Sequence, residues 1–247
     1  MSQDEPNIDE ILENWPYDSG AIEVRWCLGA DGRDVIQMRV DMGLLQLETT
    51  GRPDGAQPHG HETYLDYLIA RTLIDGDAMT LSEEQCAEVD REFVQYYHRR
   101  VCYLKLQEFN RAADDADHTL ALMDFCLQHS PDEQWTMSHE QYRPFVMFHR
   151  IQAGALFQLE HRGAEEAVEE VNVGLDRLRH LFERHGVEEE FDEDELVKRL
   201  VELRESVRHE YGVGRTLQER LTDAVASERY ELAAKLRDEL SRRTGKL

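Results

Sequence analysis

The spacing of apolar residues changes once along this chain, and the change sets the fold class. Between Ile22 and Leu47 apolar and polar residues alternate, which is the pattern of strands with one buried face. From Tyr64 onward the apolar residues recur every three or four positions, as in amphipathic helices. The sequence therefore predicts an α+β, mainly α protein, in which a small N-terminal antiparallel β-sheet precedes an antiparallel helical bundle.

The strand region contains two turn signals. Residues 30–33, with sequence Ala-Asp-Gly-Arg, supply a hairpin turn. After Gly43 the apolar residues change parity, so that Leu45 and Leu47 continue the buried face. Such a change needs a β-bulge or a tight turn, and glycine permits either. We expect two long strands, the second of them bent, or three short ones.

The middle of the chain predicts long helices separated by short breaks. Ser82 and Gln85 form a capping box, in which each residue satisfies a free backbone N–H of the other. Pro144 opens another helix, and Gly163 interrupts the helical pattern. Long helices with short connections imply antiparallel neighbours.

Two of the predicted helical hairpins resemble tetratricopeptide repeats in the placement of small and aromatic residues. The equivalent residues Tyr103 and Phe157 are 54 positions apart, whereas such repeats recur about every 34 residues. The resemblance is thus to a degenerate, TPR-like repeat, and an ordinary helical bundle is the alternative. The residues concerned are Tyr96, Tyr103, Ala112 and Ala116 in the first hairpin, and Gly154, Phe157 and Ala167 in the second.

The last thirty residues predict a short helical hairpin. Thr216 and Glu219 form a second capping box, and Ser227 can cap the helix that follows. The apolar stripes are Leu217, Leu221, Ala224 and Val225 on the first helix, and Tyr230, Ala233, Leu236 and Leu240 on the second. Isolated helices of this length are marginal in water, so we expect the stripes to need a partner or this chain's own core. Gly212 and Gly214 predict a flexible joint before the hairpin.

This segment resembles the UVR motif, the helical hairpin found in the repair proteins UvrB and UvrC and in regulators of Clp-type proteolysis. The unbroken run Ala-Ala-Lys-Leu-Arg-Asp-Glu-Leu at residues 233–240 carries most of the resemblance. The resemblance implies docking to a protein partner with its own UVR motif, namely UvrB, UvrC or a Clp-system protein, or self-association. It implies that the protein-binding residues are Leu217, Leu221, Val225, Tyr230, Ala233, Leu236, Arg237 and Leu240.

Charge argues against direct contact of most of the chain with nucleic acid. Residues 215–247 hold eight Lys or Arg and six Asp or Glu, a net charge of +2, which leaves a net charge of −26 on residues 1–214. Such a surface repels phosphate backbones.

Four scattered cysteines without a CxxC pair predict reduced and mostly buried thiols. Because the chain shows neither a leader nor an apolar run of membrane-spanning length, we expect a cytoplasmic protein.

Catalytic motifs are absent from the sequence: it has no GxxxxGK[ST], GxSxG, HExxH or DxDxDG pattern. Imidazoles two residues apart at His59-Gly60-His61 invite a metal or catalytic interpretation, but no cysteine or carboxylate cluster completes a ligand set. We therefore expect a non-enzymatic adaptor or scaffold without cofactor or metal. An accessory factor of nucleotide-excision repair, a regulator of Clp-type proteolysis and an enzyme with its site at this loop are the alternatives. The expected regions are a β-sheet region at 1–60, a helical region at 61–211 and the hairpin at 215–247.

Overall fold

The computed structural model describes residues 7–75 and 79–244. They form one short helix, a three-stranded antiparallel sheet and then a series of helices, so the prediction of an α+β, mainly α fold is confirmed. The strands are β1 (Val24–Leu28), β2 (Asp34–Val40) and β3 (Gly43–Glu48). The helices are α1 (Asp9–Asn14), α2 (Tyr64–Asp75), α3 (Glu83–Lys105), α4 (Phe109–His129), α5 (Glu133–Glu140), α6 (Arg143–His161), α7 (Ala164–Arg184), α8 (Glu195–Tyr211), α9 (Leu217–Ala226) and α10 (Tyr230–Thr244). Short 3-10 segments lie at Pro58–Gly60 and Glu188–Glu193.

The sheet has the order β1-β2-β3, with both pairs antiparallel. Trp26 on β1 lies opposite Ile36 on β2, and Ile36 lies opposite Leu47 on β3. Val40 pairs with Gly43, so a tight two-residue turn joins β2 to β3 and accounts for the change of parity. Of the two expected arrangements, the three short strands are the one that forms.

Alternation predicted the strands correctly but not the burial of their faces. Leu28 is 67% exposed, and Trp26 is also exposed, because β1 is an edge strand. The central strand β2 instead buries residues on both faces, including Gln37 and Arg39. The Arg39 guanidinium is satisfied there by donating a hydrogen bond of 2.8 Å to the backbone oxygen of Trp15. A buried polar residue needs such a partner, and alternation alone does not reveal it.

Helices α3 and α4 pack side by side in an antiparallel hairpin. The rings of Tyr96 and His118 stack at 3.8 Å, while Leu81 N–H donates to the backbone oxygen of His129 at the far end. Tyr103 and Ala112 are buried, as both a helical bundle and a repeat-like hairpin require. One apolar core of this region consists of Tyr64, Leu65, Leu68, Leu81, Cys86, Val89, Leu122, Phe125 and Cys126.

Buried charged side chains attach the sheet and the following loop to these helices. Arg99 on α3 forms an ion pair of 2.8 Å with Asp115 on α4, and both side chains are buried. The same guanidinium donates to the backbone oxygens of Glu48 and Gly51, at 3.1 and 2.8 Å. A single arginine therefore fixes the end of β3 against two helices.

A buried carboxylate also fixes the start of α2. Glu92 accepts hydrogen bonds from the backbone N–H groups of Tyr64 and Leu65, at 2.6 and 3.1 Å. It also lies 2.9 Å from His118 Nε2. The first N–H groups of a helix have no partner within it, so Glu92 supplies the cap from a distant part of the chain.

Helices α6, α7 and α8 contribute to a second apolar core. Gly174 allows the close approach of α7 to α6, because a Cβ atom at that position would lie 2.4 Å from Cγ1 of Ile151. The buried members of this core are Phe148, Ile151, Ala155, Val171, Leu175, Leu178, Phe182, Phe191, Val197 and Leu200.

The chain divides into two compact units, residues 1–146 and 147–247. This grouping differs from the three regions expected from the sequence. The sheet belongs to the same unit as α2 to α5, and the C-terminal hairpin belongs to the same unit as α7 and α8. The reason for the first difference is the attachment of the loop after β3 to α3 and α4 described above.

Helix α5 was not predicted. It begins after Asp132, whose side chain accepts a hydrogen bond from Trp135 N–H at 2.8 Å. Its buried residues are Thr136 and Glu140, so it lacks the apolar stripe by which the other helices are recognised.

The cysteines follow the sequence-based expectation. Cys86, Cys102 and Cys126 are buried and free, and Cys27 is partly buried. Burial raises the pKa of Cys102 and of Cys126 to about 12. Thiols with such a pKa stay protonated at neutral pH and are poor nucleophiles.

Candidate functional site

The C-terminal hairpin begins at the predicted capping box. The hydroxyl oxygen of Thr216 accepts a hydrogen bond from Glu219 N–H at 3.2 Å. In return the Glu219 carboxylate accepts from Thr216 N–H at 2.8 Å. Both interactions satisfy backbone donors that the first turn of α9 leaves open, so the start of the helix follows from local sequence.

The apolar stripes of α9 and α10 bury each other in part. Leu217 and Ala224 on α9 and Ala233 and Leu236 on α10 form one buried cluster, and Leu236 is only 3% exposed. For these residues the expectation that the stripes need a partner or another part of the chain is wrong, because the two helices are joined by a turn of a few residues and each covers the other at little cost in chain entropy. Val225 and Tyr230 of the same stripes remain exposed.

The eight residues that the UVR resemblance implies for binding fall into three groups. Leu217, Ala233 and Leu236 are buried inside the hairpin. Leu221 and Leu240 are partly buried against the same cluster. Val225, Tyr230 and Arg237 are exposed.

The expectation that Leu236 presents its side chain to a partner thus does not hold for the folded hairpin. A substitution of Leu236 acts first on the stability of the hairpin and only through it on docking.

One exposed stripe runs along α10. Tyr230, Ala234 and Arg237 follow one another at steps of four and three residues, which places them on one face of the helix. Tyr230 is 67% exposed, and Arg237 forms only a solvent-exposed ion pair of 3.2 Å with Asp238. Ala234 was not among the predicted site residues. Its place in the helical repeat of Tyr230 and Arg237 is the signal that could have identified it.

The start of the hairpin is attached to α7 by hydrogen bonds. Thr216 Oγ1 donates to the carboxylate of Glu169 on α7 at 2.8 Å, and Asn172 Nδ2 donates to Glu219 Oε1 at 3.0 Å. Arg208 on α8 forms an ion pair with the same Glu219 carboxylate. The predicted flexible joint at residues 212–214 is in fact anchored on both sides, since Arg208 Nη1 also donates to the backbone oxygen of Gly214 at 2.7 Å.

The pKa values of the two carboxylates at this anchor, Glu169 and Glu219, are shifted in opposite directions. Burial raises the pKa of Glu169, which the hydrogen bond from Thr216 only partly offsets. Burial also acts to raise the pKa of Glu219, but the hydrogen bond from Thr216 N–H and the charge of Arg208 outweigh it and lower the pKa. Glu219 is therefore the stronger acid of the two.

The loop containing His59-Gly60-His61 forms a 3-10 turn before α2. The His59 ring stacks on the ring of Tyr67 at 4.0 Å, and the His61 ring lies 5.8 Å from the same ring. Within residues 7–75 and 79–244, no group of three or more His, Cys, Asp or Glu side chains is arranged to hold a metal ion. None of the helices in these residues has the length and apolar character of a membrane-spanning segment.

Comparison with known protein families matches residues 215–242 to the UvrB/uvrC motif (UVR). The match covers the hairpin from before the capping box into the last turns of α10, and it confirms the resemblance in this part of the chain. No curated protein and no solved structure matches the chain. The motif supports interaction with a protein partner.

Proposed function

We propose that this protein is a non-enzymatic adaptor that docks a protein partner through the exposed face of α10 in its C-terminal hairpin. The observation that carries the proposal is that a hairpin with the UvrB/uvrC motif completes its own apolar interior and still exposes Tyr230, Ala234 and Arg237. A docking helix that is already folded loses little conformational entropy on binding.

The composition of the exposed stripe suits a protein interface. Tyrosine and arginine are enriched among the residues that contribute most to binding energy. The small side chain of Ala234 between them allows a partner helix to approach closely. These three residues thus supply an aromatic anchor, a cation and a close contact on one face.

The proposed partner is a protein with a UVR hairpin of its own, either UvrB or UvrC or a Clp-system protein, and the repair proteins are the first to test. If the partner is a repair protein, this chain binds that protein and not the DNA, because residues 1–214 carry a net charge of −26. Self-association through the same face is a further outcome that the experiment distinguishes.

Titration of purified UvrB and UvrC from the same organism with the full chain tests the proposal. Removing the ring of an interface tyrosine costs about 2 kcal/mol, so Tyr230→Ala should weaken binding about 30-fold. Arg237→Glu should weaken it further by reversing a charge at the interface. Sedimentation of the protein alone reports self-association.

Lys235→Glu is the matched control, because it reverses a charge on the same helix at an exposed position off the Tyr230 face. It should leave the affinity within about twofold of wild type. Equal weakening by Lys235→Glu and Arg237→Glu would show that net charge and not the exposed stripe decides docking. Submicromolar binding of a labelled DNA oligonucleotide at 0.15 M salt would overturn the adaptor role in favour of direct DNA contact.

A further inference from the structure

Residues 1–146 contain an open cavity of about 670 Å³ that the docking function does not use. Its walls come from the loop after β3, from the first turns of α2 and from the N-terminal half of α3. The residues that matter for its chemistry are Arg52, His59, Tyr67, Arg71, Glu88 and Arg91.

Arg52 in this cavity wall is buried and incompletely bonded. It is only 3% exposed; its Nη1 donates to Glu88 at 2.9 Å and its Nε donates to Gln95 at 3.2 Å. The Nε atom also lies 3.4 Å from Asp54 Oδ2 and 3.9 Å from Glu92 Oε2. Its Nη2 is buried without a hydrogen-bond partner among the described residues. A buried donor without an acceptor is costly, and native structures rarely leave one without a reason.

Glu88 is held between two arginines. Its Oε2 accepts from Arg52 at 2.9 Å, and its Oε1 accepts from Arg91 Nη1 at 2.9 Å. Planar guanidinium groups on both oxygens are the geometry by which proteins recognise carboxylate and phosphate groups. The Glu88 side chain is 32% exposed, so it can turn into solvent and leave the two arginines to another anion.

The groups around Glu88 favour an anion at the position of its carboxylate. The positive end of the α3 dipole faces the cavity at Ser82, which caps that helix. Arg71 lines the same cavity, with its guanidinium 6.0 Å from the centre of the Tyr67 ring. Asp54 and Glu84 are the further carboxylates of the lining. With Glu88 they balance the three arginines, and the buried Glu92 lies 3.9 Å from Arg52 behind the wall, so a ligand anion is accommodated only when it takes the place of Glu88.

We propose that this cavity binds a small organic oxyanion, whose carboxylate or phosphate group takes the place of the Glu88 carboxylate between Arg52 and Arg91. The Nη1 of Arg52 and the Nη1 of Arg91 then donate to the ligand in place of Glu88, and the stacked rings of His59 and Tyr67 contact the apolar part of the ligand. This site is independent of docking through the hairpin.

Calorimetric titration of the full chain with inorganic phosphate and with citrate, at constant ionic strength, tests the proposal. Binding to the wild type is weak because Glu88 competes for the same arginines. Glu88→Gln removes that competing charge, and we expect it to tighten binding of at least one of the two anions about tenfold. The phosphate and citrate arms show whether the site prefers a phosphate or a carboxylate.

Glu84→Gln is the matched control, because Glu84 lines the same cavity without an ion pair to Arg52 or Arg91. Arg91→Gln in the Glu88→Gln background should abolish the gain, and its mostly exposed side chain makes this change safe for folding. Equal tightening by Glu84→Gln and Glu88→Gln, or no binding by a folded Glu88→Gln variant, would overturn the proposal. A melting curve of each variant establishes that it is folded.

Discussion

The C-terminal hairpin and the loop that follows β3 are held in place by opposite kinds of contact. The hairpin has an apolar interior made by two adjacent helices, and its first turn is capped by residues three positions apart. The loop is held by buried charges on α3: Arg99 donates to the backbone oxygen of Gly51 in the loop, and Glu92 caps the start of α2 where the loop ends. The first kind of contact joins residues that are close in sequence, whereas the second ties distant segments into one cooperative unit.

All tryptophans of the chain, at positions 15, 26 and 135, lie in residues 1–146. Tryptophan fluorescence therefore reports on the unit that contains the loop. Hydrogen exchange of residues 215–244 reports on the hairpin. The two measurements together distinguish the effects of each substitution on the two regions.

The largest effect is expected from Leu236→Asp. The change removes about 1.5–3 kcal/mol of apolar burial and adds several kcal/mol for a buried charge, which exceeds the stability of a two-helix hairpin. Protection of residues 215–244 from exchange should be lost, and docking should weaken by about three decades or more. The fluorescence-monitored transition should not move. Lys235→Asp, next to it but exposed, should leave both measurements unchanged, and a shift of the fluorescence transition by Leu236→Asp would show that the regions are coupled.

The next effect tests the buried charges. Asp115→Asn leaves Arg99 without its counter-ion in a buried position, which typically costs about 3–5 kcal/mol. Urea unfolding followed by tryptophan fluorescence should show this loss, while exchange protection of the hairpin persists. Asp114→Asn makes the same chemical change at the adjacent exposed position and should cost less than about 1 kcal/mol. Similar losses for the two variants would mean that the buried ion pair does not hold the unit together.

Salt should separate the two regions by charge. Residues 1–146, on which tryptophan fluorescence reports, hold 11 Lys or Arg and 29 Asp or Glu and carry −18, whereas residues 215–247 carry +2. Raising sodium chloride from 0.01 to 0.15 M shortens the Debye length from about 30 to about 8 Å and relieves repulsion among the acidic residues. The fluorescence-monitored melting temperature should rise by a few degrees, which corresponds to about 1 kcal/mol in the free energy of unfolding. The hydrogen exchange of the hairpin should change little. A flat or falling melting temperature would show that the acidic residues are already neutralised by local pairs.

The same contrast explains what the sequence could reveal. Thr216 and Glu219 lie three residues apart and mark the start of α9 without reference to the rest of the chain. Glu92 and Tyr64 lie 28 residues apart, and no local pattern connects them. The two stripes of the hairpin were visible, but not their mutual burial, because spacing shows which residues share a face and not what covers it. The pairing of Glu88 with Arg52 and Arg91 likewise depends on the path of the loop.

The smallest effect concerns the anchor of the hairpin in acid. The pKa of Glu219 is lowered in the folded chain, so its contribution to stability is fully present above the ordinary value of 4.5 and is lost as the pH falls through the folded value. The raised pKa of Glu169 acts in the other direction, because protonation of that buried carboxyl at a higher pH favours the folded anchor. On acidification the exchange protection of the first turn of α9 should therefore hold or rise slightly and then fall below about pH 4.5. In Glu219→Gln the late fall should disappear, since the side chain keeps a carbonyl oxygen for Thr216 N–H but no longer titrates against Arg208. An unchanged acid profile in that variant would place the titrating group elsewhere and would leave the capping box as a purely neutral contact.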